Sequence, residues 1–472
     1  MLGSTLIVAV LALVLPAAWR FLDYYWFQPK KLEKILRKQG LTGNPYRFFF
    51  GDARETGRMF KETYSKPIGI TDDIAPRVLP FITKTLNTYG KRSFVWVGPK
   101  PVVFIFDLEM MKVILTKYIP FQKSFKASNP IFKRLVGGLI VYEGEQWSKN
   151  RKKLNPAFHL DKLKEIVGTM QNQGQETLDE WTRMMPKDGS PLAAQPFIVP
   201  GEQYFLKKYK KADQIEDELT ATFTSMAEER LAQRRAGENE GEPDLFDLLV
   251  DELEEVDIKD KNGRAAAIHE IIQQCKLFYV AGHETTANLI SWTIIMLSYH
   301  KEWQIRAREE IFQVLGDKKN ITADDIANMK YVNMIVNETL RLFPPAIELT
   351  RVVEEETSVG DLVLPKGSMV MMPVLLLHRD PKIWGHDAME FRPDRFADGV
   401  LKAANGHSAF LPFGWGVRTC IGANLASYEA KSFITLFLRN FSFELSPTYA
   451  HAPMVTLLLQ PQHGVPIVMR KL

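Results

Sequence analysis

The sequence predicts a mainly α-helical protein with minor β, built as a single large domain behind an N-terminal transmembrane helix. Three observations carry this. Residues 2–19 hold no charge and are dominated by Leu, Val, Ala and Ile, a length at the short end for a bilayer-spanning helix. Residues 265–300 contain no proline and would span roughly 50 Å as one helix. Strand signals are short, the clearest being 94–97 and 102–106 about a Gly98-Pro99-Lys100-Pro101 turn.

At the N-terminus, Trp19, Tyr24, Tyr25 and Trp26 follow the apolar run, as in an interfacial aromatic belt. Arg20, Lys30, Lys31, Lys34, Arg37 and Lys38 stand among and after them, so the positive-inside rule predicts a cytoplasmic body. A cleaved signal peptide fits less well, because a basic leading region is absent. The expected division is an anchor at 1–22 and a body at 23–472. Three sequons, at Asn320, Asn337 and Asn440, would be glycan acceptors in a lumenal body. Asn337 falls in a helical, apolar-periodic stretch where a glycan would disrupt packing, which agrees with a cytosolic body.

Composition excludes several classes. A net charge of +4 gives no strong nucleic-acid signal. The isoelectric point of 8.7 allows a basic patch for an acidic partner. The two cysteines, Cys275 and Cys420, rule out a secreted disulfide framework and four-cysteine zinc or iron–sulfur sites within one chain.

Along the body, 234–244 reads as a charged surface loop and 260–263 as a turn. Residues 277–297 are apolar nearly all round, predicting a buried helix, with a polar break at His283-Glu284-Thr285-Thr286. A second helix runs from 331 to 343 and stops at Pro344-Pro345. Short strands follow at 362–364 and 369–377, then an irregular Gly-, Pro- and aromatic-rich loop at 393–416, then a helix at 423–438. His283-Glu284 lacks the second histidine of a zinc helix, since position 287 is Ala. His378-Arg379-Asp380 imitates a kinase catalytic loop without its other motifs.

The central chemical signal is Pro412-Phe413-Gly414-Trp415-Gly416-Val417-Arg418-Thr419-Cys420-Ile421-Gly422. A thiolate is stabilised by a helix N-terminus and a nearby arginine, and glycines let backbone N–H groups approach the sulfur. A lone loop cysteine would otherwise read as a small buried hydrophobe. Phe413, Gly416, Arg418, Cys420 and Gly422 resemble the haem-binding loop of the cytochrome P450 superfamily. The resemblance implies the cytochrome P450 fold and heme b (iron protoporphyrin IX), with Cys420 as axial thiolate and metal ligand. It also implies Arg418 paired with a haem propionate and Phe413 packed near the sulfur.

Other motifs agree. Glu338-Thr339-Leu340-Arg341 resembles the family's Glu–Arg pair, completed by Arg395 of Phe391-Arg392-Pro393-Asp394-Arg395-Phe396; a structural role is implied. Trp147-Ser148-Lys149-Asn150-Arg151 resembles the Trp-x-x-x-Arg helix, implying propionate contacts from Trp147 and Arg151, with Arg351 a further candidate. Ala281-Gly282-His283-Glu284-Thr285-Thr286 resembles the oxygen-activation segment. Room at Ala281 and Gly282, Thr285 as hydrogen-bond partner of dioxygen and Glu284 as proton relay are what it implies.

The resemblance covers nearly the whole chain and is closest to the plant seventy-two clan, on segments such as Asp73-Ile74-Ala75-Pro76-Arg77-Val78 and Asn155-Pro156-Ala157-Phe158-His159. It implies a monooxygenase in the endoplasmic reticulum membrane, single-pass and facing the cytosol. A small lipophilic substrate, a terpenoid or isoprenoid, is implied, with O2 and electrons from NADPH through the NADPH-cytochrome P450 reductase. By resemblance the pocket is lined by 124–139, the shortened middle between Arg151 and Ala281, 347–352 and the turn near Met454. Cys275 is then a packing residue. Two features depart from the pattern. Val417 replaces the clan's usual Pro, and Arg151 and Ala281 stand only 130 positions apart, several tens fewer than the family's spacing. A membrane-anchored haem protein or inactive remnant lacking part of the pocket is therefore the alternative expectation. An oxygen-independent rearrangement enzyme is a third, against which Glu284 and Thr285 speak.

Overall fold

Capping and proline chemistry set where the long helices start and stop. In the computed structural model, residues 2–123, 137–185, 192–194, 212–237, 243–254, 256, 260–318 and 320–472 are described. Residues 124–136 and most of the shortened middle, both expected near the pocket, lie outside them. The Asp260 carboxylate accepts the Gly263 N–H at 2.9 Å, capping a central helix Lys261–Tyr299. Residues 260–263, expected as a turn, are thus the cap and first turn of this helix. A second helix, Lys330–Leu342, ends before Pro344 as expected. Its exposed N-terminal donors are met from outside, Glu310 accepting both the Tyr331 and Val332 N–H groups.

The chain divides into two units, each assembled from separate segments. The first comprises residues 1–124, 348–377 and 415–418. Its core is a six-stranded sheet in the order Thr42–Gly43, Ser93–Val97, Lys100–Phe104, Met369–Met372, Leu349–Val353, Phe121–Gln122. The hairpin strand returns at Lys100, two residues earlier than expected. The segment 369–377, expected as one strand, is split into Met369–Met372 and a helical turn Val374–Leu377. Pro373 between them has no N–H for a sheet ladder. Leu362–Leu364 forms the expected short strand, paired with Thr357–Val359.

The same unit holds an N-terminal helix Leu2–Leu22, a π-helical turn Asp23–Phe27 and a helix Gln28–Lys38. Leu13, Val14 and Leu15 are exposed. Among the described residues no helix is long and apolar enough to cross a membrane. The chain then turns at 48–51, where Phe49 adopts a left-handed backbone, φ 64°, costing a non-glycine residue about 1–2 kcal/mol. Gly51 must be glycine, because a Cβ would stand 2.6 Å from the Gly98 carbonyl oxygen and 2.7 Å from the Trp96 Cβ.

The second unit comprises 125–347, 378–414 and 419–472. Here the central helix packs against Ala423–Asn440, Lys330–Leu342 and Ala212–Arg235. Leu160–Met184 lies along Ala423–Asn440, with Trp181 edge-on to Phe437 at 5.9 Å. A Cβ at Gly174 would stand 2.9 Å from Leu436 Cδ1, so a larger residue there would push that side chain aside. The sequence predicts burial nearly all round over 277–297; the structure corrects this. Ile271, Ile272 and Leu277, and again the stretch 288–298, are buried, but Tyr279 is 73% exposed and Ala281 and His283 are exposed. Small side chains at 281 and 282 leave this stretch open, and a Cβ at Gly282 would meet nothing within 4 Å.

The expected ion network is present, with Glu338 and Arg341 fully buried. Arg341 donates from Nε and Nη2 to Glu338 at 2.7 and 2.8 Å. Its other donors go to the carbonyls of His378, Ala388 and Glu390. Arg395 Nε reaches Glu338 at 3.3 Å, and the Arg392 N–H reaches it at 2.8 Å. Removing one member strands a buried charge. Glu338→Ala is expected to lower unfolding stability by about 3–5 kcal/mol, read by chemical denaturation beside the exposed control Glu109→Ala.

Candidate functional site

The cysteine loop is pinned on both sides. Within the second unit, the Cys420 N–H donates to the Phe413 carbonyl at 2.8 Å, and the Gly414 N–H donates to Leu411 at 3.0 Å. The Thr419 hydroxyl also donates to Phe413, at 3.3 Å. Gly422 follows and leads into the helix Ala423–Asn440. Held this way, Cys420 is nonetheless exposed. Trp415 to Arg418 belong to the first unit, where Gly416 has φ 73° and a Cβ would stand 2.7 Å from the Leu115 carbonyl oxygen. Arg418 is buried there, as is Arg351 on Leu349–Val353.

Trp147 and Arg151 sit one helical turn apart on Gly144–Leu154, Trp147 buried. Arg151 donates to the Thr419 carbonyl at 2.8 Å and to Asn155 Oδ1 at 2.8 Å. Burial pulls its guanidinium pKa down, and the Cys420 sulfur opposes that. The structure therefore brings Phe413, Cys420 and Arg151 to one place in the second unit.

On the central helix, the Thr285 hydroxyl donates to the Ala281 carbonyl at 2.7 Å, and Asn288 donates to the Glu284 carbonyl at 2.8 Å. Both bonds run back to a carbonyl one turn earlier, beside the open stretch at Ala281 and Gly282. Thr286, Asn288 and Ser291 are buried behind it. Glu429, on Ala423–Asn440, is held above the usual carboxylate range by burial, moderated by Thr286 and His283. Cys275 behaves as a packing residue, its thiol pushed up to about 11 by burial.

The donor chemistry fits haem. Among the described residues no group of three or more His, Cys, Asp or Glu could hold a metal ion. A single sulfur cannot hold a bare ion but suits an iron that brings its own macrocycle. Space is present in the same unit: Ala281 and Cys420 are exposed, and residues 423–429 stay partly open whereas Ala430 is buried.

His378, set aside in the sequence as a kinase look-alike, turns out to support the loop. It is fully buried. Its Nε2 accepts the Leu411 N–H at 2.9 Å, so the proton sits on Nδ1, 3.2 Å from the Arg341 carbonyl. Burial, with Arg341 and Arg379 nearby, pushes its pKa down to about 3. No sequence motif carried this role; only the carbonyl of Arg341 and the amide of Leu411, brought together by folding, reveal it.

A profile of the cytochrome P450 family matches residues 76–198 and 187–467. 7-Deoxyloganic acid hydroxylase of Catharanthus roseus is 39% identical, with 99% of this chain and 99% of its own length covered. Secologanin synthase 1 of the same plant is 38% identical, covering 98% and 97%. Cytochrome P450 72A13 of Arabidopsis thaliana is 39% identical over 96% and 96%. The first alignment runs over 516 positions against a chain of 472 residues, so that relative has residues where this chain has none. The profile match breaks at 187–198, where the shortening was expected.

Because His378 titrates lower in the folded than in the unfolded chain, the stability it supports is full above pH 6.5 and falls as the pH drops toward 3. Between pH 6.5 and 5, wild type is expected to lose stability more steeply than His378→Gln, by up to about 1.4 kcal/mol per pH unit. Equal slopes in urea titrations of the two proteins would refute this.

Proposed function

The chain belongs to the cytochrome P450 family and is an oxidoreductase; on that premise we propose a membrane-anchored monooxygenase acting on a terpenoid. The reaction is R–H + O2 + NADPH + H+ → R–OH + H2O + NADP+, with electrons entering through the reductase. The observation that carries this reading is Cys420, exposed at the tip of a loop pinned by Phe413 and followed directly by a helix. The names of the relatives, secologanin synthase and 7-deoxyloganic acid hydroxylase, support a terpenoid substrate. The exposed apolar residues of the helix Leu2–Leu22 and the basic segment after it support anchoring in the endoplasmic reticulum membrane with the body in the cytosol.

Cys420 would hold the haem iron, and Phe413 would shield the sulfur. Arg151, Trp147, Arg418 and Arg351 are the candidates for the propionates. When bound, haem supplies dioxygen activation and the transfer of one oxygen atom. The remaining work belongs to the chain. Gly282 and Ala281 leave room beside the helix, and Thr285 orients a hydrogen bond there. Glu284, whose side chain stays partly exposed one residue before Thr285, delivers protons.

A second reading rests on the interrupted profile match and the longer alignments: a haem protein or remnant without a complete pocket. The reduced carbon-monoxide difference spectrum separates the two when paired with turnover. Wild type is expected to give a thiolate-type Soret band that Cys420→Ser abolishes, and reductase-dependent oxidation of a terpenoid. A band without turnover of any terpenoid supports the remnant; no band from well-expressed protein refutes haem-thiolate binding.

Glu284→Gln is expected to keep that band and lose about 10²-fold in turnover. An unchanged turnover number would exclude Glu284 from proton delivery.

A further inference from the structure

Glu348 opens the segment 348–377 of the first unit, directly before the strand Leu349–Val353. Its place is well fixed. Pro344 and Pro345 stiffen the approach, and the strand lies between Met369–Met372 and Phe121–Gln122 in the six-stranded sheet. Alternation along an extended chain sets Glu348 with Thr350 and Val352, on the face opposite to Arg351. Its chain neighbours are apolar, Ile347 being buried and Leu349 half-buried.

Other carboxylates with little exposure are satisfied by the fold. Asp52 accepts the Trp96 N–H at 2.8 Å and the Asn44 side-chain amide at 2.9 Å. Glu310 accepts two N–H groups of a helix N-terminus, and Glu338 holds Arg341. Among the described residues, Glu348 has no hydrogen-bond or ion-pair partner. Nor does it stand in bulk water. Burial alone pushes its carboxyl up to about 7, while the residue keeps part of its surface open. A group that is both desolvated and accessible lies on the wall of an enclosed space.

Leaving a buried polar group unpaired costs stability, and a leucine in the same place would avoid that cost. A residue that weakens the resting fold is accounted for when a ligand completes it. We infer that Glu348 is a specificity-determining residue whose carboxylate accepts a hydrogen bond from a hydroxyl group of the substrate, so that the terpenoid taken is an alcohol. An ionised carboxylate can only accept, and a hydrocarbon or an ether offers it no donor. A site built to bond a hydroxyl rejects the analogue that lacks one, because its own polar group is then left unpaired. The inference rests on the terpenoid monooxygenase proposed above, in which 347–352 is expected along the pocket, and it narrows the substrate class of that reading.

The test uses full-length, haem-loaded wild type, Glu348→Ala and Glu348→Leu at about pH 8, a unit above the carboxyl's value, where it is mostly ionised. Each protein is titrated with geraniol, farnesol and β-amyrin, each beside its O-methyl ether, following the Soret shift caused by ligand entry. Wild type is expected to bind at least one alcohol about tenfold or more tightly than its ether. Both variants are expected to bring that ratio to about one by losing alcohol affinity, with ether affinity unchanged. No preference for any alcohol in wild type, or a preference that survives in either variant, would overturn the inference. So would tighter binding of geranylamine than of geraniol, which would assign the carboxylate to a cation. Glu348→Leu is also expected to unfold at a higher urea concentration than wild type; a lower midpoint would make Glu348 a structural residue and overturn its role in specificity. The reduced carbon-monoxide band keeps the two readings apart. A thiolate-type band without alcohol preference overturns this inference alone, and no band from wild type overturns the haem-thiolate reading with it.

Discussion

Arg341 has no contact with water, and a buried guanidinium must fill five N–H donors or leave a charge uncompensated. All five are used: two on Glu338 and one each on the carbonyls of His378, Ala388 and Glu390. A side chain on one helix thereby fixes three points of an irregular segment that makes few backbone ladders of its own. Glu338 extends the hold by accepting from Arg395 and the Arg392 backbone. The net energy of such a pair is small against its desolvation, but its geometry is demanding. Its main product is therefore placement.

That placement reaches the cysteine. His378, tied to the Arg341 carbonyl, accepts the Leu411 amide. Leu411 in turn accepts from Gly414, and Phe413 accepts from both Cys420 and Thr419. Hydrogen bonds and short backbone links thus connect a buried ion pair to the Cys420 amide. Because the imidazole is neutral at working pH, this support stays constant where the enzyme operates. Preorganisation of the cysteine loop thus comes from polar groups along its backbone, while the central helix of the same unit contributes an open stretch at Gly282 and a hydroxyl at Thr285.

Most of the site was legible before folding. Phe413, Cys420 and Gly422 stand in a ten-residue window, and Trp147 with Arg151 are one helical turn apart, so local spacing sufficed for them. The Glu338–Arg341 pair was legible for the same reason. Boundaries were less so, because the signals compete locally. Asp260-Lys261-Asn262-Gly263 has turn composition, yet Asp260 caps a helix that tertiary packing extends through Gly263. Pro373 was the overlooked marker that split the expected strand at 369–377. Apolarity alone predicted burial nearly all round over 277–297; the room at Ala281 and Gly282 came from the resemblance, because apolarity says nothing about where small residues leave a gap.

The sequence by itself determined the family chemistry, the candidate sulfur donor and the helical body, since each rests on residues near one another along the chain. Tertiary structure alone decided the rest. It made His378 a support, set Glu429 against Thr286 and His283, and turned Phe48, Phe49 and Phe50 outward beside Tyr25 and Trp26. Burial, desolvation and ring contacts are sums over neighbours brought in from distant parts of the chain, and no local pattern of residues encodes them.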